Sequence, residues 1–289
     1  MEPDSIVCGD AAEVLAGVEG GTFDITVTSP PYRNAIDYRM HAEHGNDPGM
    51  NYRGRLTTGV PEYIESMAEI FSQVHRTTKE GGYCCIVIGN EINRGTLEPL
   101  PALLAARLTG DGWSLHEEII WHKVTGGANR AGGFVQRTYP SYYRANIMHE
   151  AILVLRKGAN RLRKKGPALP GVSRDVMWKE IANSVWHIAP VPPGYLDHPC
   201  PYPEEIPYRL LGLYSDEGDM VLDPFNGAGQ TTKVARYTGR RYVGIDALQG
   251  YVDYARSRVS EEPHIRKSIM LEIGDSGTPR WAKTETVGA

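Results

Sequence analysis

Hydrophobic and polar positions along this chain alternate between a strand period and a helix period. Residues 23–28 read FDITVT, a β-branched run that stops at Ser29-Pro30-Pro31, where proline removes amide donors and ends a strand, so Ser29–Tyr32 falls at a strand's tip. After Pro61, which suits a first helical turn, Ile64, Met67, Ala68, Phe71 and Val74 recur at helical spacing and predict an amphipathic helix over 61–78. Gly81-Gly82 then opens YCCIVIGN, a continuous apolar run that reads as a strand buried on both faces, as in a parallel sheet covered by helices. A helix near 100–108, a strand near 115–121 and the strand AILVL at 151–155 continue the alternation, and a basic, glycine-rich stretch interrupts it between Thr125 and Asn146.

Residues 158–198 have no clear periodicity. Order returns with a helix over 204–214, the strand MVLDP, a glycine turn, a helix through Ala235 and the strand RYVGID, which together read as a βαβ unit. A helix near 251–259 and the strand-like IMLEI complete it, whereas 276–289 is polar, aperiodic and expected to be a flexible tail. The fold class expected is α/β with a mostly parallel central sheet.

Composition adds bounds to this picture. The chain has 289 residues, 41% hydrophobic and 23% charged, which is globular usage, and no stretch reaches the roughly 20 apolar residues that cross a bilayer. It opens on SIVCGD without the basic, apolar and small-residue order of a signal peptide, so a cytoplasmic location and no membrane partner are expected. Cys8, Cys84, Cys85 and Cys200 lack CxxC spacing and a histidine cluster, so no metal and no disulfide framework is expected, and all four read as small buried residues. The net charge of −4 is unevenly distributed. Lys123, Arg130, Arg137, Arg144, Arg156, Lys157, Arg161, Arg163, Lys164 and Lys165 face the single acid Glu150 within 123–165. This stretch is either a solvated surface or a nucleic-acid contact, and Asn129, Gln136, Tyr139, Tyr142, Tyr143 and Asn146 interleaved with it favour the latter. Trp178 and Trp186 are expected to be core anchors of that region.

Two constellations carry chemistry. In DPFNGAGQTT, Gly227 and Gly229 sit where a strand turns into a helix and the backbone can approach a ligand, and Asp246 ends the next strand, where an acid accepts hydrogen bonds from ribose hydroxyls. A structural turn or a dinucleotide site would also fit the glycines, but no lysine precedes Thr231 as a phosphate loop requires. Asp223 at the strand tip disfavours a pyrophosphate and suits the cationic amine of S-adenosylmethionine. Asp10 after the strand SIVC is either a helix cap or an acceptor for an adenine amine. The second constellation is Ser29, Pro30, Pro31 and Tyr32: the prolines lock carbonyl directions, Ser29 offers a hydroxyl and Tyr32 an aromatic face, which together suit a flipped base.

TSPPY with DPFNGAGQT resembles the catalytic and cofactor motifs of the DNA amino-methyltransferases, and their order along the chain resembles the circularly permuted β class. The resemblance spans nearly the whole chain and implies a Rossmann-like S-adenosylmethionine-dependent methyltransferase fold with an inserted target-recognition region. It adds Gly9-Asp10, Asp246, and His198 and Pro199 of HPCPYP as further motif positions, so that the cofactor set is Asp10, Asp223, Phe225, Gly227, Gly229, Thr231, Asp246, His198 and Pro199. The implied division is a catalytic half over 1–123, a target-recognition region over 124–197 with strand 151–155 in the core sheet, a cofactor half over 198–275, and the tail 276–289.

Serine before Pro-Pro is usual for N4-cytosine enzymes of this family and aspartate for N6-adenine enzymes, so Ser29 favours cytosine. The implied reaction is a direct methyl transfer to an exocyclic amine held by Ser29 and the Pro30 carbonyl, with no covalent intermediate. Lys123, Arg130, Arg137, Arg144, Arg161, Arg163, Lys164 and Lys165 are the expected contacts to double-stranded DNA, and residues 33–59 form either a flap over the target or a surface loop. A homodimer and a cognate restriction endonuclease acting on the same site are the further partners expected. Adenine-N6 methylation, a catalytically inactive nucleic-acid-binding protein, a nicotinamide-dependent oxidoreductase and an RNA substrate are the alternatives. C5-cytosine chemistry, hinted at by Pro199-Cys200, is rejected because that dipeptide precedes a helix rather than following a strand and would leave SPPY unexplained.

Overall fold

A strand that is apolar on both faces needs cover on both sides, and the sheet of this protein has it. The computed structural model describes residues 1–33, 59–124, 147–159, 172, 176–192, 194–196, 198, 200–265, 271–273 and 279–281. The main sheet contains β1 (Ser5–Cys8), β2 (Phe23–Thr28), β3 (Thr78–Ile88), β6 (Trp113–His122), β7 (His149–Lys157), β8 (Val185–His187), β9 (Met220–Asp223) and β10 (Arg241–Asp246) in the order β1-β10-β9-β2-β3-β7-β6-β8. All neighbouring pairs are parallel except those of β7, which runs antiparallel to β3 and β6. The short β4 (Glu91–Asn93) and β5 (Thr96–Glu98) form a separate hairpin.

Alternation along the buried strands separates two cores. Cys84, Ile86, Leu153 and Leu155 face α1 (Ala11–Ala16), α2 (Val60–Thr77) and α3 (Leu100–Gly110), while Cys85, Val87, Ile152 and Val154 face α4 (Glu205–Tyr214), α5 (Gln230–Tyr237) and α6 (Gln249–Arg258). Helix α2 follows its sequence pattern: Pro61 stands in the first turn, Glu62 near the N-terminus, His75 and Arg76 near the C-terminus, and the apolar stripe is buried. Gly81 has a φ of +73°, and the register between β2 and β3 shifts there, pairing Phe23 with Thr78 but Ile25 with Tyr83.

Several expectations need correction. The strand expected at 151–155 is longer, and the aperiodic segment 158–198 contributes β8, a three-residue edge strand parallel to β6 and too short to carry a period. The segment IMLEI does not extend the main sheet: β11 (Leu271–Ile273) pairs antiparallel with β12 (Pro279–Trp281), so the polar tail contains a strand. Trp186 is fully buried as expected, but Trp178, on a π-helical turn at Met177–Ile181, is 66% exposed and lies outside the buried core of the described residues. Cys84 and Cys85 are buried, whereas Cys8, at the end of the edge strand β1, is exposed, and Cys200, in the irregular segment before α4, is half-buried. No described helix is long and apolar enough to cross a membrane.

Candidate active site

Parallel strands collect their carboxyl ends on one edge, where Cys8, Thr28, Asp223 and Asp246 terminate β1, β2, β9 and β10. Strands β9 and β2 are neighbours, yet the next described helices after them, α5 and α2, pack on opposite faces of the sheet. Such a divergence opens a crevice outside the strand ends, where doubly wound sheets bind ligands. A cleft open to solvent lies there. It is lined by Ser29, Pro30, Pro31 and Tyr32 after β2, by Phe225, Asn226 and Gly227 after β9, by Asp246 and Leu248 at the end of β10, and by His198 and Tyr251. The two constellations, remote in sequence, therefore share one cavity.

Asp246 holds the glycine turn to the sheet edge. One oxygen accepts from the Gly227 N–H at 2.8 Å and the other from the Leu248 N–H at 2.9 Å. Burial raises its pKa to about 6, against the opposing effect of the two backbone donors. Gly227 has a φ of +46°, and a Cβ there would stand 2.7 Å from His198 Nε2, so only glycine lets this turn approach the cleft. Asn226 Oδ1 accepts from Thr232, and its buried Nδ2 has no acceptor among the described residues, which leaves a donor for a ligand. Asp10 caps α1 through bonds to the Ala12 and Glu13 amides, one of the two roles expected for it, and the adjacent Gly9 N–H donates to the Asp246 carbonyl.

Other expected cofactor residues are used differently. Asp223 is 1% exposed and is not among the cleft-lining residues. Its carboxylate accepts from Thr28 at 2.6 Å, from Tyr202 at 3.2 Å and from the Phe225 N–H at 3.1 Å, and burial raises its pKa to about 6 in spite of these donors. Thr231 is fully buried and donates to the Val27 carbonyl at 3.0 Å. Gly229, with a φ of +80°, serves packing: a Cβ there would lie 2.9 Å from that of Ala255 on α6. Asp223 and Thr231 tie β9 and α5 to β2, and Gly229 seats α5 against α6, instead of facing the cleft. Pro199 lies outside the described residues.

The Ser29–Arg33 loop is clamped from three sides. The Tyr63 hydroxyl on α2 donates to the Pro31 carbonyl at 3.1 Å, and burial holds that phenol protonated by raising its pKa far above the ordinary value. Tyr32 is buried, and its hydroxyl donates to Glu150 on β7. The Arg33 N–H donates to Glu91 at 3.0 Å, and its guanidinium pairs with Glu91 and Glu98 of the β4–β5 hairpin. Arg33 is thus an anchor, not the start of a surface loop or flap, and residues 34–58 of that expected flap lie outside the described residues.

Lys123 does not fit its expected role in DNA contact. It is 9% exposed, pairs with Glu150 at 2.5 Å and lies over the Trp121 ring at 4.7 Å, because its partner on β7 draws it into the sheet end. Arg130, Arg137, Arg144, Arg161, Arg163, Lys164 and Lys165 lie outside the described residues. Sequence reasoning missed Asn226, Leu248, Tyr251, Tyr63 and Glu150 as members of the site. Asn226 sits inside the glycine turn, and Glu150 is the lone acid of the basic stretch, so both carried a signal. Tyr63 and Tyr251 stand on helices where no local motif marks them as site residues.

Comparison with known proteins places this geometry among relatives. A family model described as DNA methylase, of the N6/N4 type, matches residues 23–257. The type II methyltransferase M.SmaI of Serratia marcescens is 28% identical over 284 residues, covering 88% of this chain and 90% of that protein. A protein of Thermus thermophilus, assigned as a DNA modification methylase and solved in complex with S-adenosyl-L-methionine, superposes with a TM-score of 0.65 at 25% identity, covering 88% of this chain and 94% of its own. The cytosine-N4-specific PvuII DNA methyltransferase shares the fold, with a TM-score of 0.67 at 16% identity over 87% of this chain and 84% of its own.

Proposed function

The chain belongs to the N6/N4 DNA methylase family, and from that premise we propose that it transfers a methyl group from S-adenosylmethionine to the exocyclic N4 amine of a cytosine flipped out of duplex DNA. The observation that carries this reading is that Ser29–Tyr32 and the Gly227–Asp246 turn line the same cleft.

The residues present fit the cofactor. Asp246 offers a carboxylate for ribose hydroxyls, Asn226 Nδ2 is a buried donor with no acceptor among the described residues, Gly227 leaves room for close backbone approach, and Tyr251 stands 4.9 Å from the His198 ring beside it. When bound, S-adenosylmethionine supplies an electrophilic methyl group for direct displacement by an amine. Tyr32 offers its ring face to the extruded base, and the Ser29 hydroxyl and Pro30 carbonyl accept hydrogen bonds from the amine, so that its lone pair is withdrawn from the ring and becomes nucleophilic. The clamps on Pro31, Tyr32 and Arg33 hold those acceptors in place before the base arrives, so little orientational entropy is lost at the reaction. Proton release to solvent follows, and no covalent intermediate on the protein is required.

Ser29 is the residue that favours cytosine over adenine. A circular permutation is supported by chain order, since β2 and its Ser-Pro-Pro-Tyr tip precede β9 and its glycine turn although the two strands are adjacent in the sheet. The target-recognition region is proposed within 124–197, less the core-sheet residues of β7 and β8. The type II relatives support a cognate restriction endonuclease acting on the same site, and a homodimer is part of the same proposal.

Nucleoside mass spectrometry of unmethylated genomic DNA incubated with the protein and labelled S-adenosylmethionine tests this. Labelled N4-methylcytosine is expected. Labelled N6-methyladenine would keep the chemistry and overturn the base assignment, and cofactor binding without any labelled base would overturn the activity.

A further inference from the structure

Four elements converge behind the ring of Tyr32. Glu150, the second residue of β7, pairs across the sheet with Trp121, one residue before His122 and two before Lys123. Its Oε1 atom accepts from both the Tyr32 hydroxyl and the Lys123 ammonium. Gly89, just past β3, makes space for the acid: a Cβ there would stand 3.0 Å from Glu150 Cγ. Trp121 closes the other side of the ammonium. Glu150 and Tyr32 are 4% and 6% exposed.

A carboxylate this buried is unfavourable unless it is paired and hydrogen-bonded, and a buried ion pair by itself is weak evidence of stabilisation. Two apolar residues would close the end of β6 and β7 at less cost. The arrangement therefore needs a reason, and the shared oxygen supplies it. A phenol ring in an apolar slot is free to slide and tilt until its hydroxyl is tethered, whereas a hydrogen bond to a strand-borne acceptor fixes both ring plane and depth.

We propose that Glu150 is a positioning residue for methyl transfer: held in the sheet end by Lys123, it tethers the Tyr32 hydroxyl and presets the ring face against which the target base stacks. This rests on the reading of Tyr32 as the stacking aromatic given above. It assigns Lys123 a supporting role within the protein and gives the lone acid of the basic stretch a function.

The test replaces the ion pair in two ways that both avoid a stranded buried charge. Lys123→Met/Glu150→Gln retains an oxygen acceptor for Tyr32, and Lys123→Met/Glu150→Leu does not. Turnover, KM for cofactor, melting temperature and the fluorescence of 2-aminopurine at the target position are read for both, each with Tyr32 and with Tyr32→Phe. The expected result is about a tenfold lower kcat for the Leu form than for the Gln form, with cofactor KM within about twofold and weaker stacking of the flipped base. In Tyr32→Phe that difference vanishes, because no hydroxyl remains to be held. Equal kcat in the two forms, or a difference that persists with Phe at position 32, overturns the proposal and leaves Glu150 a structural partner of Lys123. A wild-type protein that methylates no DNA overturns instead the functional reading on which the proposal stands.

Discussion

Replacing Asp246 with asparagine tests the cofactor assignment most directly, because the structure fixes what the carboxylate does. Each of its oxygens accepts one backbone N–H, from Gly227 and from Leu248. An amide has one oxygen, so one of these donors faces an NH2 group and the turn loses a charge-assisted bond, while the ribose hydroxyls lose an ionised acceptor. At about 1.5–3 kcal/mol for a hydrogen bond to a charged group, the dissociation constant rises about ten- to a hundredfold. Wild-type pH dependence supplies an internal control. With a pKa raised to about 6, about nine-tenths of the protein carries the carboxylate at pH 7 and about one-tenth at pH 5, so cofactor affinity falls about tenfold between them. Titration calorimetry with S-adenosylmethionine at both pH values, on wild type and Asp246→Asn, reads all four affinities. Equal affinity of the two proteins at pH 7, or a tenfold pH effect that survives in the variant, would refute the assignment.

Ser29→Ala removes an acceptor proposed to act on the amine alone, so kcat is expected to fall about a hundredfold, as for loss of one preorganised transition-state contact, with cofactor affinity unchanged in calorimetry. Gly227→Ala places a methyl group within 2.7 Å of His198 at a φ of +46°, and is expected to weaken cofactor binding and to lower stability by about 1–2 kcal/mol in urea unfolding. Trp186→Ala empties a fully buried site and should cost about 3–5 kcal/mol, whereas Trp178→Ala, at 66% exposure, should change stability by less than about 0.5 kcal/mol. Asp223 and Asp246 both have folded-state pKa values raised to about 6. Their stabilising effect is full below about pH 4 and is lost as the pH rises through about 6, because the folded state holds the protons more tightly. In thermal melts without cofactor, Asp223→Asn and Asp246→Asn should therefore flatten the decline in stability between those pH values relative to wild type.

The sequence by itself determined most of the core elements and the residue types at their ends. Strand β2 and its stop at Pro30-Pro31, helix α2, the doubly buried β3 and the β9–α5–β10 unit were all readable, because burial on one or both faces imposes a period that local residues must obey. Ser29, Tyr32, Gly227 and Asp246 were readable for a related reason: turns at strand tips admit few residue types. Tertiary structure decided what lies across the sheet. The direction of β7 and the membership of β8 depend on pairing partners far along the chain, and three residues at an edge are too few to declare a period. Whether a polar residue faces the cleft or the interior was likewise undecided, so Asp223, Thr231 and Lys123 looked like ligand contacts until neighbouring strands supplied Thr28, Val27 and Glu150 as partners. A side chain's role at a strand end is set by whichever element packs beside it, and that neighbour is chosen by the fold, not by adjacent residues.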